Sequence, residues 1–213
     1  MLWKEGLLVL CGYLHGSVLF SYLLPLWFLK IDIVKASEDH NPGTVNAYRF
    51  AGVLLGSLCL LCDLAKGALP MWMGLRLFGP RYLLLPLVMA APVWGHATAP
   101  WYGFPGGKAI AATFGVLIGL LPISPSAYIL AVLYVFFSVV WVIHPNEKRT
   151  VVTFLVFLGC SAALAFSTRR FDVAFGCLLV SVMPVYKNYI DISRARQAQA
   201  GEKDKPQPGP QMG

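Results

Sequence analysis

The feature that most constrains this chain is a series of long apolar runs, several of which extend for about 18 residues or more without a charged side chain. In the apolar part of a bilayer, backbone N–H and C=O groups must be hydrogen-bonded within the protein, so such runs cross the membrane as helices. The mean hydropathy of +0.65 and the 57% hydrophobic content exceed what the core of a soluble domain of 213 residues requires. The sequence therefore predicts an all-α integral membrane protein.

The positions of the apolar runs predict seven transmembrane helices in one bundle. The predicted spans are 7–29, 50–72, 80–96, 109–124, 126–143, 150–167 and 171–187. The first span is expected to be retained, because its apolar stretch is too long for a signal peptide and no small-residue cleavage site follows it. We assign residues 1–197 to a single membrane domain and residues 198–213, which are poor in apolar side chains, to a disordered tail.

Lysine and arginine residues in the loops predict how the bundle is oriented, because basic residues accumulate on the cytoplasmic side. With the N-terminus outside, eleven of the 17 basic residues are cytoplasmic: Lys30, Lys35, Arg49, Lys108, Lys148, Arg149, Lys187, Arg194, Arg196, Lys203 and Lys205. Five are then external: Lys4, Arg76, Arg81, Arg169 and Arg170. The N-terminus is therefore predicted outside and the C-terminus inside, which also brings a polar site to the cytoplasmic face.

The remaining composition argues against metal, redox and nucleic-acid chemistry. The five cysteines are scattered in apolar runs, where they form neither a disulfide pattern nor a zinc-ligand pattern. The positive net charge of +7 reflects the asymmetry of the membrane loops, since no polar face interleaves basic and aromatic residues as nucleic-acid binding requires. No cofactor or metal is expected, and no nucleic-acid partner.

The polar loop at 37–49 is the densest group of ionisable and hydrogen-bonding side chains in the chain. Its Asn41-Pro42-Gly43-Thr44 sequence predicts a tight turn, because glycine and proline favour turn backbone angles. Such a turn can direct backbone N–H groups at an anion, and Arg49 can add a planar cation suited to phosphate. An ordinary solvated loop with the same turn remains the alternative.

A second polar segment, 95–108, ends in Gly106-Gly107-Lys108 immediately before an apolar helix. Glycines and a lysine at a helix start offer free N–H groups and a cation, which favour phosphate, although the spacing is not that of a Walker loop. His96 at the end of the preceding span is either a substrate-contacting or an interfacial histidine.

Asp63 and Lys66 lie three residues apart within the second predicted span. Ionisable groups are costly in that setting and usually face the bundle interior or a polar cavity. The spacing puts them on one face of a helix, which predicts a structural ion pair. The functional alternative is that Lys66 helps to draw an anionic substrate into the cavity.

Together these blocks resemble the small integral-membrane acyl-phosphate:glycerol-3-phosphate acyltransferases of bacteria. The resemblance is carried by residues in this order: Gly16-Ser17, Asn41-Pro42-Gly43 with Asn46 and Arg49, Asp63 with Lys66-Gly67, Gly95-His96, and Gly106-Gly107-Lys108. It implies a seven-helix fold with a cytoplasmic-facing site, in a bacterial inner membrane. It also implies transfer of an acyl chain from acyl phosphate to glycerol-3-phosphate, giving lysophosphatidic acid for phospholipid synthesis.

The resemblance also implies roles for individual residues. Arg49 and Lys108 are expected to bind phosphates, and the backbone at Asn41, Gly43, Gly106 and Gly107 to cradle them. Asn46 and Asn188 are expected to orient the acceptor, and His96 to form a hydrogen bond with a substrate oxygen. Ser17, Lys66 and Lys187 complete the expected substrate-binding set.

Two departures from the family pattern concern the acceptor. Glu38-Asp39-His40 stands where the family has Gly-Ser-Gly, and the C-terminal His-Arg motif is reduced to Lys187 and Asn188. Asp39 or His40 is therefore a candidate base, beside the substrate's own phosphate; Asp39 can alternatively only cap the turn. A paralogous acyltransferase with another acceptor, and a non-catalytic lipid-binding or transport protein on the same fold, are the rival functions.

Overall fold

The structure, a computed structural model that describes residues 2–203, is all-helical over that part of the chain. Its helices are α1 (Leu2–Gly16), α2 (Phe20–Leu29), α3 (Ile33–Ala36), α4 (Thr44–Phe78), α5 (Leu85–Thr98), α6 (Ile110–Gly119), α7 (Ser126–Val135), α8 (Asn146–Thr168) and α9 (Phe171–Lys203). A π-helical turn, Phe136–Val140, continues α7. The predicted all-α class is confirmed.

Three helices, α4, α8 and α9, are each long and apolar enough to cross a membrane. The pair α1 and α2 meets the same test together and is bent by 41°, which gives up to four candidate spans. Two further apolar segments, Ile110–Gly119 and Ser126–Val140, are shorter than the roughly 20 residues that a straight span needs. The helices follow the predicted apolar runs, and the number seven stays a prediction.

The first predicted span, 7–29, is not one continuous helix, because the helical structure stops between Gly16 and Phe20. The Ser17 hydroxyl turns back and donates to the Leu14 carbonyl oxygen at 2.6 Å. The break frees backbone groups that other elements use: Lys66 donates to the Val18 carbonyl, and the Leu19 N–H donates to the Tyr102 hydroxyl. Broken helices are tolerated at membrane depth where neighbouring groups satisfy the freed backbone in this way.

Helix α5 lies at the centre of the bundle and packs against α1, α4, α6 and α9. Its side chains Leu85, Val88, Met89 and Val93 are completely buried. By contrast, large apolar side chains such as Leu54, which is 89% exposed, cover the outer surface of the bundle. That distribution is the one expected where the surrounding medium is lipid.

Glycines allow the helices to approach closely at two interfaces. A Cβ atom on Gly16 would collide with the Pro92 backbone and one on Gly95 with the Tyr13 carbonyl, which joins α1 to α5. Likewise, a Cβ atom on Gly115 of α6 would collide with the Leu64 carbonyl of α4. Small residues at such contacts are typical of membrane bundles, where packing rather than the hydrophobic effect holds helices together.

Helix α9 continues to Lys203, so residues 198–203 are helical where we expected the disordered tail to begin. Alanine favours a helix, and extending an existing helix avoids the cost of nucleation. The rest of the predicted tail, 204–213, lies outside the described residues.

Two helical glycines allow a matched test of this packing. Gly115→Ala places a methyl group against the α4 backbone and is expected to lower the free energy of unfolding by about 1–3 kcal/mol. Gly159→Ala in α8 meets no atom within 4 Å and is expected to leave stability unchanged or slightly raised. Thermal unfolding of both variants in detergent measures the difference; equal responses would contradict the close α4–α6 approach.

Candidate functional site

The centre of the polar site is an ion pair buried inside α4. The Lys66 ammonium lies 2.8 Å from Asp63 Oδ1, and neither side chain is exposed. Ser21 of α2 and Thr44 donate to Asp63 Oδ2 at 2.6 and 3.2 Å. The predicted structural pair is therefore formed, and the pair is completed by hydroxyl groups from two other parts of the chain.

The Lys66 ammonium has three N–H groups, and each has a partner. Besides Asp63, it donates to the Val18 carbonyl at 2.7 Å and contacts His96 Nδ1 at 2.7 Å. Because the Lys66 side chain is completely buried, its ammonium is not accessible to a substrate phosphate. We therefore revise the role expected for Lys66: it belongs to the buried support of the site, and direct substrate binding by this residue does not fit its burial.

His96 connects the buried ion pair to the glycine segment 106–107. The ring is 3% exposed. A Cβ atom on Gly107 would collide with His96 Nε2, and one on Gly106 would collide with the His96 carbonyl. Only glycine lets the backbone pass this closely over the ring. Lys187 of α9 donates to the Gly106 carbonyl at 3.0 Å, so a third element fixes the segment.

Lys108 follows the glycine segment and is surrounded by three carboxylates. Its ammonium lies 3.0 Å from Asp191, 3.3 Å from Glu147 and 3.5 Å from Asp39. These acids come from α9, from the first turn of α8 and from the 37–43 loop. Partial burial lowers the pKa of Lys108, but the contacts with Asp191, Glu147 and Asp39 together outweigh burial and raise it above the ordinary value. Lys108 is thus a firmly held cation.

The 37–49 loop differs from its predicted geometry. The hydrogen-bonded turn lies at Ser37–His40, where the His40 N–H donates to the Ser37 carbonyl at 3.3 Å. The expected turn at Asn41–Thr44 is wrong, because Gly43 is the N-cap of α4 and its carbonyl accepts from the Ala47 N–H. With φ at −95°, Gly43 does not use the backbone freedom on which the prediction rested.

Asp39 and His40 do not contact each other as a base pair. Asp39 Oδ1 accepts from Asn46 Nδ2 at 2.8 Å and from the Asn41 N–H at 3.3 Å. His40 has a left-handed φ of 48°, and its Nδ1 lies 2.8 Å from the Val34 carbonyl. The two side chains are therefore held separately by different partners, and Asn46 lies beside Asp39.

Three of the predicted site residues, Arg49, Ser17 and Asn188, contact neither the Asp63–Lys66 pair nor Lys108 among the described residues. Arg49 is exposed, with its guanidinium 5.5 Å from the Phe50 ring centroid and no hydrogen bond or ion pair to any residue in 2–203. Ser17 accepts from Trp101 Nε1 at 2.6 Å at the α1–α2 break. Asn188 is buried and donates to the Pro184 carbonyl within α9.

Sequence reasoning missed Ser21, Thr44, Glu147 and Asp191. The two hydroxyl groups carry no motif, since serine and threonine are common in membrane helices. Asp191 had a usable signal: it follows Asn188 by three residues and so lies on the neighbouring part of the same helix face. Glu147 opens α8, a position where acidic residues are common for helix-dipole reasons alone.

A cavity of about 660 Å³ is lined in part by the three carboxylates that pair with Lys108. Three segments line it: residues 38–40, the start of α8 and the 191–199 part of α9. Both signs of charge are present, with Asp39, Glu147 and Asp191 on one hand and Lys148 and Arg194 on the other. The volume suits a small polar molecule together with the head of a lipid-like one.

Comparisons with known proteins agree with this architecture. The profile of the family described as Glycerol-3-phosphate acyltransferase matches residues 6–198. A glycerol-3-phosphate acyltransferase of Thermotoga petrophila is 32% identical over 185 residues, covering 86% of this chain and 88% of that protein. One from Shouchella clausii is 38% identical over 188 residues, covering 87% and 89%.

A similar fold is found in the crystal structure of PlsY (YgiH), an integral membrane glycerol 3-phosphate acyltransferase, in its glycerol 3-phosphate form. The TM-score is 0.76, with 23% sequence identity, and the match covers 92% of this chain and 93% of that one. At this identity the likeness concerns the fold.

A double-mutant cycle tests the buried ion pair. Asp63→Leu or Lys66→Met alone leaves an unpaired buried charge and is expected to lower the free energy of unfolding by about 3–5 kcal/mol. The double variant replaces both charges by apolar groups, so its loss is expected to be smaller than that of either single variant. Thermal unfolding in detergent measures all three proteins, and additive losses would contradict the pairing.

Proposed function

The chain belongs to the glycerol-3-phosphate acyltransferase family, and on that premise we propose that it moves an acyl chain from acyl phosphate to glycerol-3-phosphate, giving lysophosphatidic acid. The observation that carries the proposal is that Asp39, Glu147 and Asp191, the carboxylates that pair with Lys108 next to the 106–107 glycine segment, also line the 660 Å³ cavity. A buried donor, a side-chain-free backbone and a cation there suit a phosphate group.

The proposed reaction needs positioning more than it needs a strong nucleophile in the protein. The acceptor hydroxyl oxygen attacks the acyl carbonyl carbon, an ester C–O bond forms, and the C–O bond to phosphate breaks. Because the donor is already activated, holding two anions in line and stabilising the developing charge supplies most of the catalysis. Lys108 is the cation proposed to stabilise the departing phosphate.

The three carboxylates around Lys108 have to release it when phosphate arrives. They are 28–40% exposed, whereas the Lys108 side chain is 15% exposed. Ion pairs of this partly exposed kind contribute only about 0–1 kcal/mol each, while a phosphate offers several charge-assisted acceptors at once. Replacing a carboxylate by a phosphate as the partner of Lys108 therefore costs little free energy.

The hydroxyl proton is proposed to pass to the departing phosphate. Asp39 is a weaker candidate, because Asn46 and the Asn41 N–H already occupy Oδ1 and Lys108 contacts Oδ2. His40 is directed to Val34 and is not used. We propose instead that Asp39, which lines the cavity and is held by Asn46, shapes the acceptor side of the site, and that Lys187 and Asn188 of α9 contribute to acceptor binding.

We propose that Arg49 contacts a phosphate only after its exposed side chain moves towards the site. Ser17 is proposed to support the site indirectly, because it accepts a hydrogen bond from Trp101. The site is proposed to face the cytoplasm of a bacterial inner membrane, with the N-terminus outside and the C-terminus inside. The basis for that orientation is the eleven-to-five distribution of basic residues.

The experiment that tests the function supplies purified protein in lipid with acyl phosphate and glycerol-3-phosphate. Lysophosphatidic acid and inorganic phosphate should appear in equal amounts, followed by mass spectrometry and phosphate assay. Glycerol and dihydroxyacetone phosphate, offered as rival acceptors, should react more slowly. Absence of product with every acceptor would favour a non-catalytic lipid-binding protein.

Lys108→Ala is expected to lower the acyl-transfer rate by about 10²-fold or more, because losing one charge-stabilising contact costs about 2.7 kcal/mol. Lys35→Ala is a matched control, since the Lys35 side chain is 86% exposed and forms an ion pair with its neighbour Asp32. Initial rates of the two variants decide the point. A folded and fully active Lys108→Ala protein would contradict the assigned role.

Orientation is testable by cysteine labelling in a variant that lacks the five native cysteines. A cysteine at position 38 is expected to react with a membrane-impermeant maleimide only in inverted vesicles. A cysteine at position 169, which follows α8 on the predicted outer side, should react in intact cells. The reverse pattern would overturn the proposed orientation.

A further inference from the structure

We propose that Lys66 is a positioning residue that acts through His96. It holds the imidazole in the tautomer whose Nε2–H faces the 106–107 glycine segment, where that N–H donates to a phosphate oxygen. The inference rests on the proposed function for the identity of the phosphate. It goes beyond that function by assigning a task to a lysine that no substrate can reach.

The tautomer follows from the chemistry of the two side chains. A lysine ammonium can only donate hydrogen bonds, and it lies 2.7 Å from His96 Nδ1. Nδ1 must therefore offer its lone pair, which leaves the ring proton on Nε2. A doubly protonated ring has no lone pair for Lys66, so the ring in this contact is neutral.

The ammonium is itself held so that it points at the ring. The Val18 carbonyl accepts one of its N–H groups at 2.7 Å, and Asp63 Oδ1 forms an ion pair with it at 2.8 Å. Ser21 in turn holds the second oxygen of Asp63. These contacts hold the ammonium beside Nδ1, to which it donates.

The same geometry predicts what happens without the lysine. Asp63 Oδ1 lies 3.9 Å from His96 Nδ1, just beyond hydrogen-bond distance, and Lys66 stands nearer at 2.7 Å. With Lys66 gone, the carboxylate becomes the natural acceptor for an Nδ1–H group. The ring would then take the opposite tautomer and present a lone pair at Nε2.

The surroundings of His96 Nε2 show why the tautomer matters for phosphate binding. His96 is 3% exposed, and Nε2 lies against Gly107 with no hydrogen-bond partner in residues 2–203. An N–H group at Nε2 that has no partner among these residues is free to donate to a ligand. A phosphate oxygen above the glycine segment would accept from Nε2–H, whereas a lone pair there would repel it.

The tautomer is measured by ¹⁵N NMR of protein carrying ¹⁵N-labelled histidine, reconstituted in lipid. The chain has four histidines, and His96→Gln identifies the His96 signals. In the unaltered protein, Nδ1 should appear unprotonated and Nε2 protonated, and added inorganic phosphate should shift Nε2. In Lys66→Met, the proton should move to Nδ1 and the phosphate-dependent shift should be lost.

Ser21→Ala is the matched control, because it removes a hydrogen bond from the same buried network without touching Lys66 or His96. It should retain the Nε2–H tautomer. If Lys66→Met does not fold, Asp63→Leu with Lys66→Met replaces it, since that variant leaves no unpaired charge. The preference for Nε2–H should then be lost.

Activity separates positioning from stability. In Lys66→Met, or in the double variant if only that one folds, the turnover number should fall by about 10²-fold, as for loss of one oxyanion donor. The KM for glycerol-3-phosphate should change by less than about threefold. An Nδ1–H tautomer in the unaltered protein, or an Nε2–H tautomer that persists without Lys66, overturns the inference. If the tautomers behave as stated but no acyl transfer occurs, the proposed function fails and the Lys66–His96 coupling stands.

Discussion

The ion pair between Asp63 and Lys66 is the interaction on which the polar site depends. Two charges taken out of water carry a penalty of several kcal/mol each, which only good geometry and further hydrogen bonds offset. The chain supplies these from three places: Ser21 of α2, the Val18 carbonyl at the α1–α2 break, and His96 of α5. The break in the first span therefore helps to stabilise the ion pair. In an uninterrupted helix, the Val18 carbonyl would accept a backbone hydrogen bond within that helix and would not be available to Lys66.

Close helix packing connects this buried hydrogen-bond network to the segment 106–108. Glycines at 16 and 95 bring α1 and α5 together, and the glycine at 107 lets the following segment pass over the His96 ring. Since interhelical hydrogen bonds in membranes are worth only about 0.6–2 kcal/mol each, close packing has to supply the rest of the precision. The polar groups therefore keep their geometry because the surrounding backbone has no room to move.

The fold class and the grouping of the main motifs were predictable from the sequence, and several of their details were not. Hydropathy alone indicates helices, and the glycine–lysine segment at 106–108 indicates an anion site. The turn at Ser37–His40 and the burial of Lys66 depend on contacts between distant segments, and local sequence propensities do not predict such contacts. Arg49 shows the converse: its residue type suits phosphate, but its position after the α4 N-terminus leaves it exposed.

The acids around Lys108 explain how this chain can carry Glu38-Asp39-His40, where the family resemblance implies Gly-Ser-Gly, and still bind a phosphate as we propose. Asp39 adds a negative charge where the family has serine, and two unit charges at 4 Å in water interact by only about 1 kcal/mol. Its carboxylate is 40% exposed and shares Lys108 with Glu147 and Asp191, so solvent screens it. In a buried site the same substitution would exclude phosphate. At the cavity, in the mechanism we propose, the carboxylates instead hold the Lys108 ammonium in place until a phosphate takes over the contact.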